Sequence, residues 1–176
     1  TQWQKRQFDV RGLTKAEISY ENSVLGGVSS VLQACTKPGE AVLVHSPTYT
    51  GFTGLLEGLG REIVLSELQR DKDGIFRMDF TDMEEKLSQK PITCALFCSP
   101  HNPTGRVWER EEIGAFIELM AKHQVTVISD EIWSDFVLDP ERRHIPTQSV
   151  SDRAKEITAA LYSPSKTFNL AGLVNA

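Results

Sequence analysis

The sequence is poor in cysteine, in basic charge and in long apolar runs, and each of these absences excludes a class of protein. Three cysteines in 176 residues are too few, and odd in number, for a disulfide framework, which favours a reducing compartment, the cytoplasm. No apolar run approaches the roughly 18 residues that a membrane span needs, so we expect no membrane partner. The formal net charge of −5 argues against a general nucleic-acid binder, which carries a basic surface.

Metal binding is also disfavoured. The histidines are scattered along the chain without metal-ligand spacing. Cys94 and Cys98 lie on one predicted strand, and four strand steps separate them by roughly 13 Å, too far for one metal ion. We therefore expect no metal site. What the sequence does contain is apolar material for a core, with 40% hydrophobic residues and only 12 glycines and 8 prolines.

Short apolar runs alternate with amphipathic stretches along the chain. The runs are apolar on both faces, which is typical of strands covered by helices on both sides. They predict strands over residues 41–46, 62–65, 92–98, 126–129 and 157–162. A first helix is predicted over 27–35, and a second after a capping box that starts at Thr81. A third is predicted around the apolar positions 113, 116, 117 and 120, with Glu112 facing water. This order predicts an α/β fold of three layers, α/β/α, around a mainly parallel sheet.

Polar clusters follow four of the predicted strands, at the sheet edge where ligands of such folds bind. Taken singly, each has an ordinary structural explanation: residues 102–105 form a good turn sequence, Asp130 is a helix cap and Lys166 is a solvated side chain. Together they supply an amine able to form a Schiff base, a carboxylate for a protonated pyridine nitrogen, an amide donor and an aromatic ring. This set fits pyridoxal phosphate.

The same segments resemble the fold type I pyridoxal-phosphate enzymes, and within them the class I/II aminotransferase superfamily. The resemblance rests on four motifs in the same chain order, at residues 46–49, 101–105, 129–132 and 163–169. Two further segments, 144–146 and 166–173, are similar to the cystathionine or cysteine-conjugate β-lyase branch. The resemblance covers nearly the whole chain and implies pyridoxal 5'-phosphate as the cofactor.

The resemblance assigns a role to each residue at the strand ends. The catalytic pair is Lys166 and Asp130. Lys166 holds the cofactor as a Schiff base and moves protons at the substrate's Cα, and we expect its burial beside the cofactor to favour the neutral amine. Asp130 partners the pyridine nitrogen, and Asn102 donates to the ring oxygen. Tyr49 stacks on the ring face, and Ser163 donates to the phosphate.

Two further cofactor contacts fall where this sequence departs from the family pattern. The loop before the first helix matches the family's phosphate loop by position, so Ser23, Val24 and Leu25 are candidate donors through backbone N–H groups. Trp133 stands where many members carry Tyr or His. Its indole N–H can donate to the ring oxygen, and packing beneath the cofactor is the alternative. We also expect a cis peptide bond at Asn102–Pro103, a family position that often carries one.

The activity implied by the resemblance is amino-acid chemistry on a small substrate. A C–S β-lyase similar to cystathionine β-lyase would release pyruvate, ammonia and a thiol, whereas an aminotransferase would transfer an amino group to a 2-oxo acid with the same residues. A regulatory module that kept the fold and lost catalysis is the alternative from another class, but it would lack Lys166, Asp130 or Asn102. A nucleotide-binding domain would need a glycine fingerprint that Gly26-Gly27 does not supply.

We interpret residues 1–176 as most of the large pyridoxal-phosphate-binding domain of a longer enzyme. The chain starts at Thr1 without a methionine and stops at Ala176 directly after an apolar stretch. By resemblance, we expect an N-terminal segment and a small C-terminal domain to lie outside it, together with the arginine that binds the substrate carboxylate. The resemblance also implies a homodimer.

Overall fold

A parallel sheet of five strands forms the centre of the fold in the computed structural model, which describes residues 2–173, 175 and 176. The strands of this sheet are β1 (Ala41–Ser46), β2 (Glu62–Glu67), β5 (Ile92–Cys98), β6 (Thr126–Asp130) and β7 (Thr158–Leu161). Their spatial order is β2-β1-β5-β6-β7, and every pairing is parallel. The strands β3 (Gln69–Arg70) and β4 (Phe76–Arg77) form a separate antiparallel hairpin.

The α-helices are α1 (Gln2–Phe8), α2 (Val24–Cys35), α3 (Thr50–Gly58), α4 (Phe80–Gln89), α5 (Arg110–Lys122), α6 (Asp152–Ile157) and α7 (Pro164–Thr167). Helices α2 to α6 cover the two faces of the sheet, whereas α1 and α7 contribute no buried residue. The core lies in two clusters, one between the sheet and α2 and α3, the other between the sheet and α4, α5 and α6. This confirms the predicted α/β/α architecture.

The amphipathic pattern of α5 is confirmed, apart from one residue. Its apolar positions 113, 116, 117 and 120 are all buried. Glu112 does not face water as expected: its side chain is 13% exposed and pairs with Arg77 and Arg106. The reason is a capping box, in which Glu112 reaches back to the backbone N–H of Glu109.

Several predicted element boundaries are wrong by one to three residues, among them the ends of β2, β6 and β7, which lie at residues 67, 130 and 161 rather than 65, 129 and 162. Helix α2 begins at Val24 rather than at residue 27, because Ser23 caps it and accepts from the N–H of Gly26. The cap of α4 is Asp79, not Thr81. Strand β7 starts at residue 158, because the preceding apolar residue Ile157 ends the short helix α6.

The strand ends that carry the polar clusters lie level with one another. Across the sheet Cys98 of β5 pairs with Asp130 of β6, and Asp130 pairs with Leu161 of β7. Helix α2 approaches this edge at Gly27, where a Cβ atom would lie 2.7 Å from Leu161 Cδ2. A glycine at this position therefore allows the N-terminus of α2 to pack directly against the carboxyl end of β7.

Two of the absences noted in the sequence can be examined in three dimensions. Within the residues that the structure describes, no helix is long and apolar enough to cross a membrane. The same residues contain no cluster of three His, Cys, Asp or Glu side chains that could hold a metal ion. Cys94 and Cys98 are buried free thiols, and burial raises the pKa of Cys94 to about 12.

His45 of β1 makes the stability of the fold depend on pH. It is 3% exposed and packs beside Phe97, Trp108 and Phe116, and its Nε2 has no partner among the described residues. Burial, with a smaller effect of the charge on His101, lowers the pKa of His45 to about 3. An unfolded histidine titrates near 6.5, so stability is complete above about pH 6.5 and is lost as the pH falls toward 3.

We expect His45→Leu to remove this part of the pH dependence. Between pH 7 and pH 4 the free energy of unfolding of the wild type should lose about 3 kcal/mol through His45 alone. Urea titrations of both proteins at pH 8, 5.5 and 4 measure the difference, and pH 8, where His45 is neutral in both states, serves as the reference. Parallel pH profiles for the two proteins would contradict the prediction.

Candidate active site

A cavity of about 240 Å³ opens where the parallel strands end. Its walls come from the N-terminus of α2, the residues after β1 and β5, the end of β6, and α7 with the residues that follow it. Among the described residues, it is lined by Ser23, Val24, Leu25, Tyr49, Cys98, Asn102, Asp130, Ile132, Trp133, Ser163, Ser165, Lys166, Ala171 and Asn175.

Every site residue predicted from the sequence lies in this lining, although its role at a cofactor stays a prediction. Five further lining residues were not predicted from the sequence: Cys98, Ile132, Ser165, Ala171 and Asn175. Cys98 was considered as a metal ligand and excluded, but it pairs with Asp130 at the last position of its strand, and this register could have indicated its place. The others lack a chemical group that would have distinguished them.

Asp130 ends β6 with its carboxylate in the cavity wall. Because side chains alternate across a strand, Asp130 faces the cavity while Ser129 and Glu131 face the opposite side of the sheet. Asp130 is 6% exposed, and its Oδ1 accepts from the N–H of Ile132 at 3.0 Å. Burial, together with the charge of Glu131, raises the pKa of Asp130 to about 6, against the opposing effects of the Ile132 N–H and the Lys166 charge.

Lys166 lies on α7, opposite the loop that follows β6. Its Nζ lies 5.4 Å from the centre of the Trp133 ring, within the range of a cation–π contact. Trp133 in turn packs edge-to-face against Phe136 at 5.3 Å. In this chain Lys166 is exposed, on a helix that has no buried residues, and its burial beside a bound cofactor stays a prediction.

Ser163 caps α7 and connects it to the end of the chain. Its Oγ accepts from the N–H of Ser165 at 3.1 Å and donates to the carbonyl oxygen of Asn175 at 2.6 Å. A hydroxyl has one proton, so the donation to a phosphate that the resemblance implies requires this hydroxyl to turn away from Asn175.

The N-terminus of α2 points into the cavity. Val24 and Leu25 are the first two residues of the helix, and N–H groups at such positions have no intrahelical acceptor. Ser23 precedes them with a positive φ of 75°, a conformation that is uncommon for a residue other than glycine. Backbone donors and the positive end of the helix dipole together make this end suitable for an anion.

Tyr49 forms the outer wall, between β1 and α3. It is 39% exposed, and its ring packs edge-to-face on Phe52 at 5.5 Å. The ring lies so close to the first turn of α3 that a Cβ atom on Gly51 would stand 2.3 Å from it. Gly51 therefore gives the Tyr49 ring the space for its position over the cavity.

Asn102 reaches the cavity from the loop after β5. Its backbone N–H donates to the Cys98 thiol at 3.4 Å. The Asn102–Pro103 peptide is cis, as expected, and so are Ser46–Pro47 and Ser99–Pro100. His101 lies outside the described cavity lining; it is buried, and its Nδ1 is bonded to the Thr104 hydroxyl at 2.8 Å.

The fold defines the class of protein. Cystalysin from Treponema denticola, whose crystal structure contains a pyridoxal 5'-phosphate cofactor, superposes with a TM-score of 0.93 and 32% sequence identity, over 99% of this chain and 43% of that chain. The architecture is therefore that of pyridoxal-phosphate-dependent enzymes. The family model described as aminotransferase class I and II matches residues 15–174, and the chain belongs to this family.

Two curated relatives add detail. Cystathionine beta-lyase PatB of Bacillus subtilis is 44% identical over 156 residues, which are 89% of this chain and 40% of that protein. Protein MalY of Escherichia coli is 37% identical over 159 residues, which are 90% of this chain and 40% of that protein. The chain thus spans about two fifths of the length of the curated relatives it matches.

Proposed function

We propose that this chain is most of the large domain of a pyridoxal-phosphate-dependent C–S β-lyase, which converts a cystathionine-like amino acid into pyruvate, ammonia and a thiol. The observation that carries the proposal is the convergence of Lys166, Asp130, Asn102 and Tyr49, from four separate strand ends, on one cavity. The similarity to PatB supports the lyase reaction in particular.

The donor set of the cavity fits pyridoxal phosphate. Asp130 is a buried carboxylate with a raised pKa, so a protonated pyridine nitrogen placed against it would favour its charged form. The N-terminus of α2, with Ser23, Val24 and Leu25, would receive the phosphate. Tyr49 and Trp133 supply aromatic surfaces for the ring, and Asn102 would donate to the ring oxygen.

When bound, pyridoxal phosphate would withdraw electrons from the substrate's Cα. Lys166 Nζ would take the proton from that carbon, since it is the amine that lines the described cavity. Asp130 would keep a proton on the pyridine nitrogen by offering a negative charge in a buried position. The thiolate would then leave from the substrate's Cβ, and hydrolysis would give pyruvate and ammonia.

Transamination is the second candidate, and the description of the family as aminotransferases favours it. The residues lining the cavity serve both reactions, because both begin with removal of the Cα proton by the same amine. The two differ in where the proton goes next. In a transamination it is returned on the cofactor side, and the product is a 2-oxo acid that keeps its side chain.

Product analysis on the full-length protein tests the proposal. Loaded with pyridoxal phosphate and given cystathionine, the protein should produce pyruvate and a free thiol in equal amounts without an added 2-oxo acid. Turnover that requires an added 2-oxo acid and releases no thiol would support the aminotransferase instead. If the folded protein develops no absorbance band at the short-wavelength end of the visible spectrum on addition of pyridoxal phosphate, both candidate reactions are contradicted.

The resemblance also supports a homodimer with a small amino-acid substrate, and the free cysteines support a cytoplasmic location. In this family the partner subunit contributes residues to each active site, so we propose that the full-length enzyme is active only as a dimer. Sedimentation of the full-length protein at the concentration of the activity assay tests this, and full activity of a monomer would contradict it.

A further inference from the structure

Glu131 is a fully buried carboxylate next to Asp130, outside the described cavity lining. Its Oε1 accepts from the Ser129 hydroxyl at 3.0 Å and from the backbone N–H of Thr147 at 2.9 Å. Its Oε2 is bonded to His144 Nε2 at 2.6 Å and accepts from the Tyr162 hydroxyl. The two oxygens of a carboxylate offer about four acceptor positions, and this structure fills all of them.

These hydrogen bonds keep the buried carboxylate of Glu131 in its charged form. Burial opposes ionisation of Glu131, but His144, by its charge and hydrogen bond, and the Tyr162 hydroxyl outweigh burial, so the pKa of Glu131 lies below its usual value. Burial and the charge of Glu131 raise the pKa of Tyr162, so Tyr162 keeps the proton that it donates. His144 Nδ1 is buried without a partner among the described residues, but both oxygens of Glu131 are fully bonded, and these four bonds fix the carboxylate in one arrangement.

Glu131 joins the two strand ends that carry the proposed catalytic pair. Asp130 precedes it on β6, and Tyr162 follows β7 and directly precedes Ser163, the cap of the helix that carries Lys166. The backbone repeats the link, because the N–H of Glu131 donates to the carbonyl oxygen of Leu161 at 2.9 Å. The side-chain bond to Tyr162 thus extends the pairing of β6 and β7 beyond the end of the sheet, up to α7.

We propose that Glu131 is a positioning residue, whose bond to Tyr162 holds the Ser163–Lys166 segment at a fixed distance from Asp130 across the cavity. The proposal rests on the proposed function for the roles of Asp130 and Lys166. Glu131 itself faces the opposite side of the sheet and lies outside the described cavity lining. Its contribution is therefore geometric, and a misplacement of about 1 Å at a reacting group can lower a rate a hundredfold.

Two substitutions in the full-length protein break the network at different points. Glu131→Gln replaces one acceptor oxygen of the carboxylate by an NH₂ group, which would face hydrogen-bond donors. Tyr162→Phe removes only the hydrogen bond from the Tyr162 hydroxyl to Glu131. Tyr162→Phe is the milder change and keeps the test decisive if Glu131→Gln fails to fold. Glu112→Gln is the matched control, because Glu112 is a largely buried carboxylate that binds Arg77 and Arg106, and none of these three residues lines the described cavity.

Hydrogen exchange of the apoprotein gives a readout that is independent of the cofactor. We expect amide exchange over residues 163–168 to rise about tenfold in Tyr162→Phe, as the loss of one hydrogen bond to a charged group implies, and to stay within about twofold of wild type in Glu112→Gln. Unchanged exchange over this segment in Tyr162→Phe would overturn the proposal.

Cofactor binding and turnover then connect the geometry to the site. In Tyr162→Phe the dissociation constant for pyridoxal phosphate should rise about tenfold, and kcat should fall about tenfold while KM for the amino acid changes less than about twofold. Faster exchange with unchanged cofactor affinity and kcat would also overturn the proposal. If the wild type binds no pyridoxal phosphate, the proposed function fails, and the exchange experiment still decides whether Glu131 holds the segment.

Discussion

Lys166→Ala will lower the kcat of the full-length enzyme by at least about a thousandfold, because it removes the residue proposed as both the attachment point of the cofactor and the proton carrier at Cα. Its Nζ lies in the cavity wall over Trp133, and its charge acts on Asp130. Reduction with borohydride followed by mass spectrometry measures the attachment directly. The wild type should gain the mass of one reduced cofactor, and the variant none.

Lys155→Ala is the matched control for this experiment. Lys155 is an exposed lysine of α6 that pairs with Glu17 at 2.8 Å, away from the cavity lining. Its removal should leave attachment and kcat unchanged. A small primary amine added to Lys166→Ala should restore part of the activity, since it replaces the missing proton carrier. A cofactor still fixed covalently in Lys166→Ala would contradict the role given to this residue.

Asp130→Asn should have the second largest effect, a loss in kcat of about a hundredfold or more. It removes the charge-assisted hydrogen bond proposed between Asp130 and the pyridine nitrogen of the cofactor. The amide has nearly the same shape and keeps an oxygen for the Ile132 N–H, but it carries no charge to hold a proton on the pyridine nitrogen. The affinity for pyridoxal phosphate should fall as well. Spectroscopic titration of the cofactor and steady-state kinetics measure the two effects.

The stability of the same variant should change in the opposite direction. The pKa of Asp130 is raised to about 6 in the fold, against about 3.9 in an unfolded chain. Stability from this residue is therefore complete below about pH 4 and is lost as the pH rises through 6. At pH 7 the apoprotein of Asp130→Asn should be more stable than wild type, by up to about 3 kcal/mol.

If Asp130→Asn raises the free energy of unfolding and lowers the affinity for the cofactor, the Asp130 carboxylate serves binding rather than stability. Asp73→Asn, in the exposed turn between β3 and β4, is the control and should change neither quantity. A variant at position 130 that loses stability and keeps its kcat would contradict the proposed role of Asp130. Urea unfolding of the apoproteins at pH 7 provides the measurement.

Much of this fold could be predicted from the sequence because buried parallel strands are apolar on both faces. The ends of β1 and β5 were predicted to the residue. The boundaries that were wrong depend on local hydrogen bonds, such as the Ser23 cap of α2 and the Ser151 cap of α6. Helix α3 was not predicted at all, since its three glycines and two threonines oppose helix formation, and it forms by packing Phe52 and Leu56 into the core.

The site was predictable where chemistry selects the residue type. A lysine, a carboxylate, an amide or an aromatic ring has an ordinary explanation at a single strand end, so only their combination at one sheet edge was informative. The capping box that draws Glu112 back onto the helix could have been predicted from its spacing to Glu109, but its pairing with Arg77 depends on a contact between segments that are distant in sequence. Glu131 shows the same limit. Its residue type is that of a surface side chain, and only the return of residues 144–147 and Tyr162 to β6 reveals its burial.

Asp130 and Glu131 face opposite sides of the sheet at the end of β6, and this limits which insertions, deletions and substitutions β6 can tolerate. Deleting one residue within β6 would rotate Glu131 into the cavity and Asp130 into the buried network, with the composition of the carboxylate pair unchanged. The longer side chain would then occupy the place of the pyridine partner, and the shorter one would fall short of Tyr162. We therefore expect β6 to tolerate exchanges among apolar residues at Val127 and Ile128, whereas single insertions or deletions there inactivate the enzyme.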